Sequence, residues 1–190
     1  MKDLRGRFDE LTQLNGAELE PELKKAARLS WGRLGRRVRF YAPSFSKYAN
    51  RRFNGVAASF PSVSVTGGFC ALNCKHCGGR VLRSMLPAQT PRELLELSRR
   101  LAAEGCKGLL LSGGCLLDGS VPLGRFTDAI AQVKELGLTV VAHTGLVNAE
   151  TARALKEAGV DTALIDIMGS GEAIKDVYRL DKTVEDYEAA

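Results

Sequence analysis

The chain is 190 residues long, with 45% hydrophobic and 26% charged residues and a formal net charge of +5. This is the composition of a globular protein of one domain plus an appendage, and it excludes disordered and fibrous classes. No window approaches the roughly 18 to 20 consecutive apolar residues of a membrane span, and Met1 to Glu10 is charged and polar, so the cytoplasm is the expected compartment.

The charge is divided unevenly along the chain. Residues 1 to 60 carry 13 Lys and Arg against 6 Asp and Glu, whereas residues 61 to 190 carry 14 against 16. We read residues 1–60 as a basic N-terminal extension and residues 61–190 as the core. Arg33, Arg36, Arg37, Arg39, Arg51 and Arg52 can face an acidic protein partner, a nucleic acid, or solvent alone. Within the extension, Leu19, Leu23, Ala26, Ala27 and Leu29 recur near the helical period and predict a helix from Glu18 to Trp31, with Pro21 in its first turn. Val38, Phe40 and Tyr41 predict a short strand ending at Pro43, and the polar, aromatic stretch Ser44 to Ala58 is expected to wind across the face of the main domain.

From residue 61 onward, apolar runs alternate with amphipathic ones. The predicted strands are Ser62 to Thr66, Gly108 to Ser112, Thr139 to His143 and Thr162 to Ile167. The predicted helices are Thr90 to Glu104, with Pro91 at its first position, Leu123 to Leu136, and Ala149 to Ala158, with Asn148 as its N-cap. Gly105, Gly137 and Gly159 each follow a helix, where a left-handed residue ends it at little cost. This repeated phrase argues for an α/β fold with a parallel sheet, four βα units of a full or partial TIM barrel.

The chemistry of the chain is concentrated in Cys70, Cys74 and Cys77, spaced C-x3-C-x2-C on a Gly-flanked loop directly after the first of these strands. Three thiolates so close can wrap one iron–sulfur cube, each binding one iron and leaving the fourth open to an outside ligand. A zinc site would need a fourth ligand, for which His76 or Cys115 is available, but no second pair of ligands follows. A thioredoxin-like reading uses only Cys74 and Cys77 and leaves Cys70 without a role. Disulfides fit poorly with five cysteines and no secretory signal.

In barrels of βα units, working residues sit at the C-terminal ends of the strands. Those ends read Thr66-Gly67-Gly68, leading to the cysteines, then Ser112-Gly113-Gly114-Cys115, His143-Thr144-Gly145 and Asp166-Ile167-Met168-Gly169. Glycines at such ends let the backbone approach a ligand, although tight turns need them as well. His143 is placed to contact a cofactor or substrate, or to bond a neighbouring loop. Asp166 is placed to accept hydrogen bonds from ribose hydroxyls, or to cap a turn.

The cysteine triplet and the Gly-Gly segment, each at its strand end, resemble the radical S-adenosylmethionine (radical SAM) superfamily over residues 58–190. The resemblance implies a [4Fe–4S] cluster held by Cys70, Cys74 and Cys77, with S-adenosyl-L-methionine (SAM) chelating the open iron and yielding a 5'-deoxyadenosyl radical on reduction. It implies that Ser112, Gly113 and Gly114 match the superfamily's Gly-Gly-Glu segment, whose carbonyls hold the amino group of SAM, and that His76 packs beside adenine. Cys115 departs from the pattern, where a carboxylate is usual.

The stretch from Leu111 to Leu123, with Ala142 to Gly145 and Asp176 to Leu180, further resembles the biotin-synthase-related group, including subunits of two-component lipoyl synthases. That implies sulfur insertion into an acyl chain on a carrier protein, a flavodoxin or ferredoxin as electron donor, and, as partners, an acidic acyl-carrier protein and a second radical SAM subunit. RNA modification is the alternative enzymatic expectation, and a non-catalytic zinc or iron–sulfur protein the alternative outside enzymes. Sulfur insertion draws on a sulfide source such as a second cluster, for which only Cys106 and Cys115 remain, and Cys106 is expected to be a core thiol at a strand start. With four units where the family's barrel has six, and Glu185 to Ala190 reading as the start of a helix, the chain is expected to be a fragment of a longer protein.

Overall fold

A computed structural model describes residues 10–36 and 59–190 of the chain. The chain divides into two compact units, residues 1–41 and 42–190. In the first, helix α1 runs Gly16–Leu34, starting two residues before the helix expected from periodicity. The Asn15 carboxamide accepts the N–H groups of Ala17 and Glu18 at 3.0 and 3.2 Å, and the Glu18 carboxylate accepts that of Asn15 at 3.0 Å. This capping box satisfies three terminal donors and sets the start. Pro21 consequently lies in the second turn, not the first. No residue of α1 is buried, and the Arg36 guanidinium lies 4.6 Å over the Trp31 ring. The strand expected at Val38, Phe40 and Tyr41, the stretch Ser44 to Ala58, and Arg37, Arg39, Arg51 and Arg52 lie outside the described residues.

The second unit is a parallel sheet with helices between its strands. Its elements are β1 (Ser62–Ser64), β2 (Leu86–Pro87), α2 (Pro91–Ala103), β3 (Gly108–Ser112), α3 (Thr127–Glu135), β4 (Thr139–His143), α4 (Ala149–Glu157), β5 (Thr162–Leu164), α5 (Gly171–Asp176) and α6 (Val184–Ala189). The strand order is β2-β1-β3-β4-β5, every pair parallel. Four of these strands are the predicted ones. The outer two of them, β1 and β5, end at Ser64 and Leu164, short of the predicted Thr66 and Ile167. Strand β2 has only two residues, too few for a period to show.

Helix starts follow from their caps. Thr90 accepts the Glu93 N–H at 3.2 Å and Asn148 that of Thr151 at 2.8 Å. The segment from Leu123 begins as a 3-10 turn, Leu123–Phe126, before α3. Gly105, Gly137 and Gly159 end their helices at φ of 84°, 79° and 87°, a backbone that only glycine adopts freely.

Strand direction explains the layering. From β1 through β3 and β4 to β5 the chain advances one way across the sheet, so right-handed crossovers place α2, α3 and α4 on the same face, where α2 packs on α3 and α3 on α4. The step from β1 to β2 runs the opposite way, and the same handedness carries its connection, the cysteine loop and a 3-10 turn at Arg80–Ser84, to the other face. Alternation along the strands matches this division. Val63, Val65, Leu109, Leu111, Val140 and Ala142 point into the core under the helices, around the fully buried Leu94, Phe126 and Ile130. Ser62, Leu110, Ser112 and His143 point to the opposite face and line a cavity there. Among the described residues, no helix is long and apolar enough to cross a membrane.

Candidate functional site

The cysteine loop is tied from two sides. On the β1 side, the Ser64 hydroxyl donates to Gly67 O at 2.7 Å and the Thr66 hydroxyl donates to Phe69 O at 2.8 Å. Thr66 Oγ1 also accepts the N–H of Gly114 at 2.7 Å, and the N–H of Ala71 donates to Cys115 O at 2.9 Å, so the end of β3 is bonded directly to the loop. Gly114 is required by this approach. A Cβ there would sit 2.6 and 2.7 Å from Cys70 Cα and Cβ, and against Phe69 O.

On the far side, Lys75 N–H donates to Val177 O at 2.9 Å and the Cys74 thiol donates to Tyr178 O at 3.3 Å. The two segments that meet there contain the only positive-φ non-glycine residues among those described, Asn73 at 46° and Arg179 at 58°. Such conformations persist only where surrounding structure imposes them, and they gather at functional sites. The His76 and Tyr178 rings stand 4.9 Å apart, tilted by 43°.

Inside this frame lies a cavity of about 320 Å³. All nine residues singled out from the sequence, Cys70, Cys74, Cys77, His76, Ser112, Gly113, Gly114, His143 and Asp166, line it. Ser112 has a structural task as well, its hydroxyl donating to His143 O at 3.2 Å and joining the ends of β3 and β4. His143 Nε2 is 3.4 Å from Asp166 Oδ2, an ion pair when the imidazole is protonated. Sequence reasoning missed Thr66 as the residue that fastens the loop, and Tyr178 as a cavity wall. Thr66 had a signal, a hydroxyl residue at a strand end, whereas Tyr178 arrives from 104 residues beyond Cys74. It also missed Ser62, which is 7% exposed, lines the cavity, and has no hydrogen-bond partner for its hydroxyl among the described residues.

The thiols influence one another. Burial pushes the Cys74 thiol pKa up, and negative charge on Cys70 and Cys77 pushes it further. The Cys115 thiol is pushed up to about 12, first by burial and then by the same three cysteines and Asp166. Burial also raises the Tyr178 phenol, with Asp166 and the thiols adding to it. Several thiols sharing one weakly polar space cannot all ionise without a positive centre among them. Among the described residues, no three His, Cys, Asp or Glu side chains converge as ligands of a single ion. An iron–sulfur cube asks for something else, since each thiolate binds its own iron. Three soft thiols on one loop, a glycine holding the opposite wall close, and a Ser62 hydroxyl in the cavity with no hydrogen-bond partner among the described residues fit such a group with a small polar ligand beside it. Cys106 stands before β3 and Cys115 beyond its other end, so the two cannot serve one further centre.

Parallel strands with helices on one face, and a thiol-lined cavity at the strand ends on the other, define an α/β protein of repeated βα units. The model of the radical SAM superfamily matches residues 64–190, and the chain belongs to that superfamily. Its relatives include a biotin synthase of Hyphomonas neptunium, 28% identical over 57% of this chain and 35% of that protein. They include one of Geotalea daltonii, 31% identical over 50% of this chain and 28% of the relative, and one of Caulobacter vibrioides, 32% identical over 52% and 30%. The chain therefore spans about a third of the length of the curated relatives it matches. Membership in the superfamily implies, in general terms, SAM and an iron–sulfur cluster.

Proposed function

We propose that the protein is a radical SAM enzyme in which Cys70, Cys74 and Cys77 hold a [4Fe–4S] cluster and the adjoining cavity holds SAM. The observation that carries this reading is the convergence of the three thiols, the Gly113–Gly114 backbone, His76, His143 and Asp166 on one cavity at the ends of parallel strands. When bound, the cluster supplies the electron that breaks the sulfonium of SAM and so produces a hydrogen-abstracting radical. The chain's own residues bind and orient. The backbone of Gly113 and Gly114, in the cavity wall, offers carbonyls to an ammonium group, and the His76 and Tyr178 rings offer faces to a flat base. Asp166 offers acceptors to ribose hydroxyls and steadies His143 from β4. Leu72, Leu82, Met85 and Leu110 line the same cavity and exclude water, which limits side reactions of a reactive intermediate.

For the substrate we favour sulfur insertion into an acyl chain. Relatives named biotin synthase and the apolar lining both support it. An acidic electron donor, a flavodoxin or ferredoxin, suits the exposed Lys75, Arg80 and Arg83 around the cysteine loop. An acidic acyl-carrier protein suits the basic N-terminal residues, and a second radical SAM subunit and a cytoplasmic location complete the reading. The test is anaerobic reconstitution with iron and sulfide, followed by EPR of the dithionite-reduced protein with and without SAM. A [4Fe–4S] signal that shifts with SAM and vanishes in Cys74→Ala is expected. A protein that binds zinc and gives no such signal would overturn the proposal.

A further inference from the structure

We propose that Cys115 is a fourth thiolate of the cluster, occupying the iron that Cys70, Cys74 and Cys77 leave open until SAM takes its place. The inference rests on the reading of those three cysteines as a [4Fe–4S] site. Among the described residues, Cys115 is the one further thiol lining their cavity. It is not there by loose association. Its carbonyl accepts the N–H of Ala71 at 2.9 Å, next to Cys70. The preceding residue is packed so tightly on Cys70 that a Cβ would lie 2.6 Å from the Cys70 Cα. Its side chain, like that of Cys70, packs against the cluster that contains Leu72 and Cys74.

The alternatives for this thiol are weaker on the same observations. Cys115 touches both apolar clusters of the unit, but a thiol kept only for packing has no reason to stand among three others in a cavity wall. Its sulfur makes no hydrogen bond among the described residues, whereas that of Cys74 donates to Tyr178 O. Cys106, at the opposite end of β3, shows what a packing thiol looks like in this fold, set against the helix-covered core.

Three cysteines leave one iron of a cube without a protein ligand, and a soft thiolate in the same cavity is a natural fourth. Binding breaks the S–H bond of Cys115, forms an Fe–S bond and releases the proton to solvent, with no electron transferred. When the amino and carboxylate groups of SAM displace the thiolate, it takes a proton back. The resting cluster is then fully thiolate-bound and resists loss of the fourth iron to oxidants, the iron a three-cysteine cluster gives up first.

The experiment compares the full chain with Cys115→Ala and Cys115→Ser, each reconstituted anaerobically without SAM and titrated with ferricyanide. The readouts are [3Fe–4S] EPR intensity and iron content. The native protein is expected to keep its iron, while Cys115→Ala loses one iron per cluster and gains the [3Fe–4S] signal. Cys115→Ser preserves side-chain size and carries the comparison if the alanine variant fails to fold. Equal iron loss from native protein and folded variant overturns the role of Cys115 and leaves the three-cysteine site standing. A native protein that assembles no cluster overturns the underlying reading instead, and this inference with it.

Discussion

Gly114→Ala tests whether the contact between β3 and the cysteine loop builds the site. The new methyl would meet Phe69 O and lie 2.6 and 2.7 Å from Cys70 Cα and Cβ, where carbon contacts ordinarily fall at about 3.5–4.0 Å. Two of these three atoms are backbone, so no rotamer change removes the overlap. Overpacking of this kind costs about 1–3 kcal/mol, and with backbone on both sides the upper end is expected. At an m-value near 2 kcal/mol/M in urea, 3 kcal/mol lowers the midpoint by roughly 1.5 M. The strand end and the loop must also move apart, so cluster content after reconstitution should fall along with stability. Gly169→Ala is the control, because a Cβ there meets nothing within 4 Å. If Gly114→Ala shifts the midpoint no further than the control and binds as much iron, the contact does not build the site.

Thr66→Val removes the hydroxyl that donates to Phe69 O and accepts from Gly114 N–H. A loss of about 1–3 kcal/mol is expected, largely restored in Thr66→Ser, with iron content following the same order. Phe126→Ala empties a core position that is 1% exposed and should cost about 3–5 kcal/mol, read as a lower urea midpoint in apo and reconstituted protein alike. Asp161 accepts hydrogen bonds from the Lys134 ammonium and Val140 N–H, and the ammonium above all holds its carboxyl below the usual carboxylate range. A depressed pKa contributes stability above the unfolded value of about 3.9 and loses it as pH falls through the lower folded value. With the Asp161 side chain 39% exposed, solvent screening limits the contribution to about 1 kcal/mol or less. Asp161→Asn should therefore lower the urea midpoint at pH 7 and approach the native protein below pH ~4, and curves that stay parallel throughout would rule the ion pair out as the cause.

Features written into short, contiguous stretches were legible in the sequence. The strands at Gly108 and Thr139, the caps at Thr90 and Asn148, and the glycines that end three helices were read from local pattern and stand as expected. All nine site residues reach one cavity because in a parallel sheet every strand end faces the same way. One boundary moved where side-chain chemistry outweighed periodicity, at Asn15, and the segment from Leu123 opens as a 3-10 turn with no side-chain cap. Strand β2 was hidden because two residues carry no alternation, although those two residues form the sheet edge beside the cysteine loop. Tyr178 was hidden for a different reason. The stretch Asp176 to Leu180 was marked by resemblance alone, which gave Tyr178 no role, and that role follows from the packing of α5 and the segment after it against the loop.

The placement of the three cysteines within eight residues suggests a site that could form on its own, but the contacts argue otherwise. The loop between Cys70 and Cys77 forms few bonds within itself. It is held by Gly114 and Cys115 from the end of β3, and by Val177 and Tyr178 from the segment after α5. Those groups assemble only when the sheet has formed and α5 has docked through Ile174, which is fully buried beside Leu72 and Cys74. Burial then raises the pKa of Cys74 and so opposes the thiolate that a metal requires. A bound cationic centre removes that opposition and draws on the folded frame to do so, which makes binding and folding one linked equilibrium. Perturbations at the two clamps are accordingly expected to reach the cluster even when no cysteine is touched, while an equal loss of stability in the helix-covered core, as at Phe126, leaves the loaded and unloaded forms equally affected.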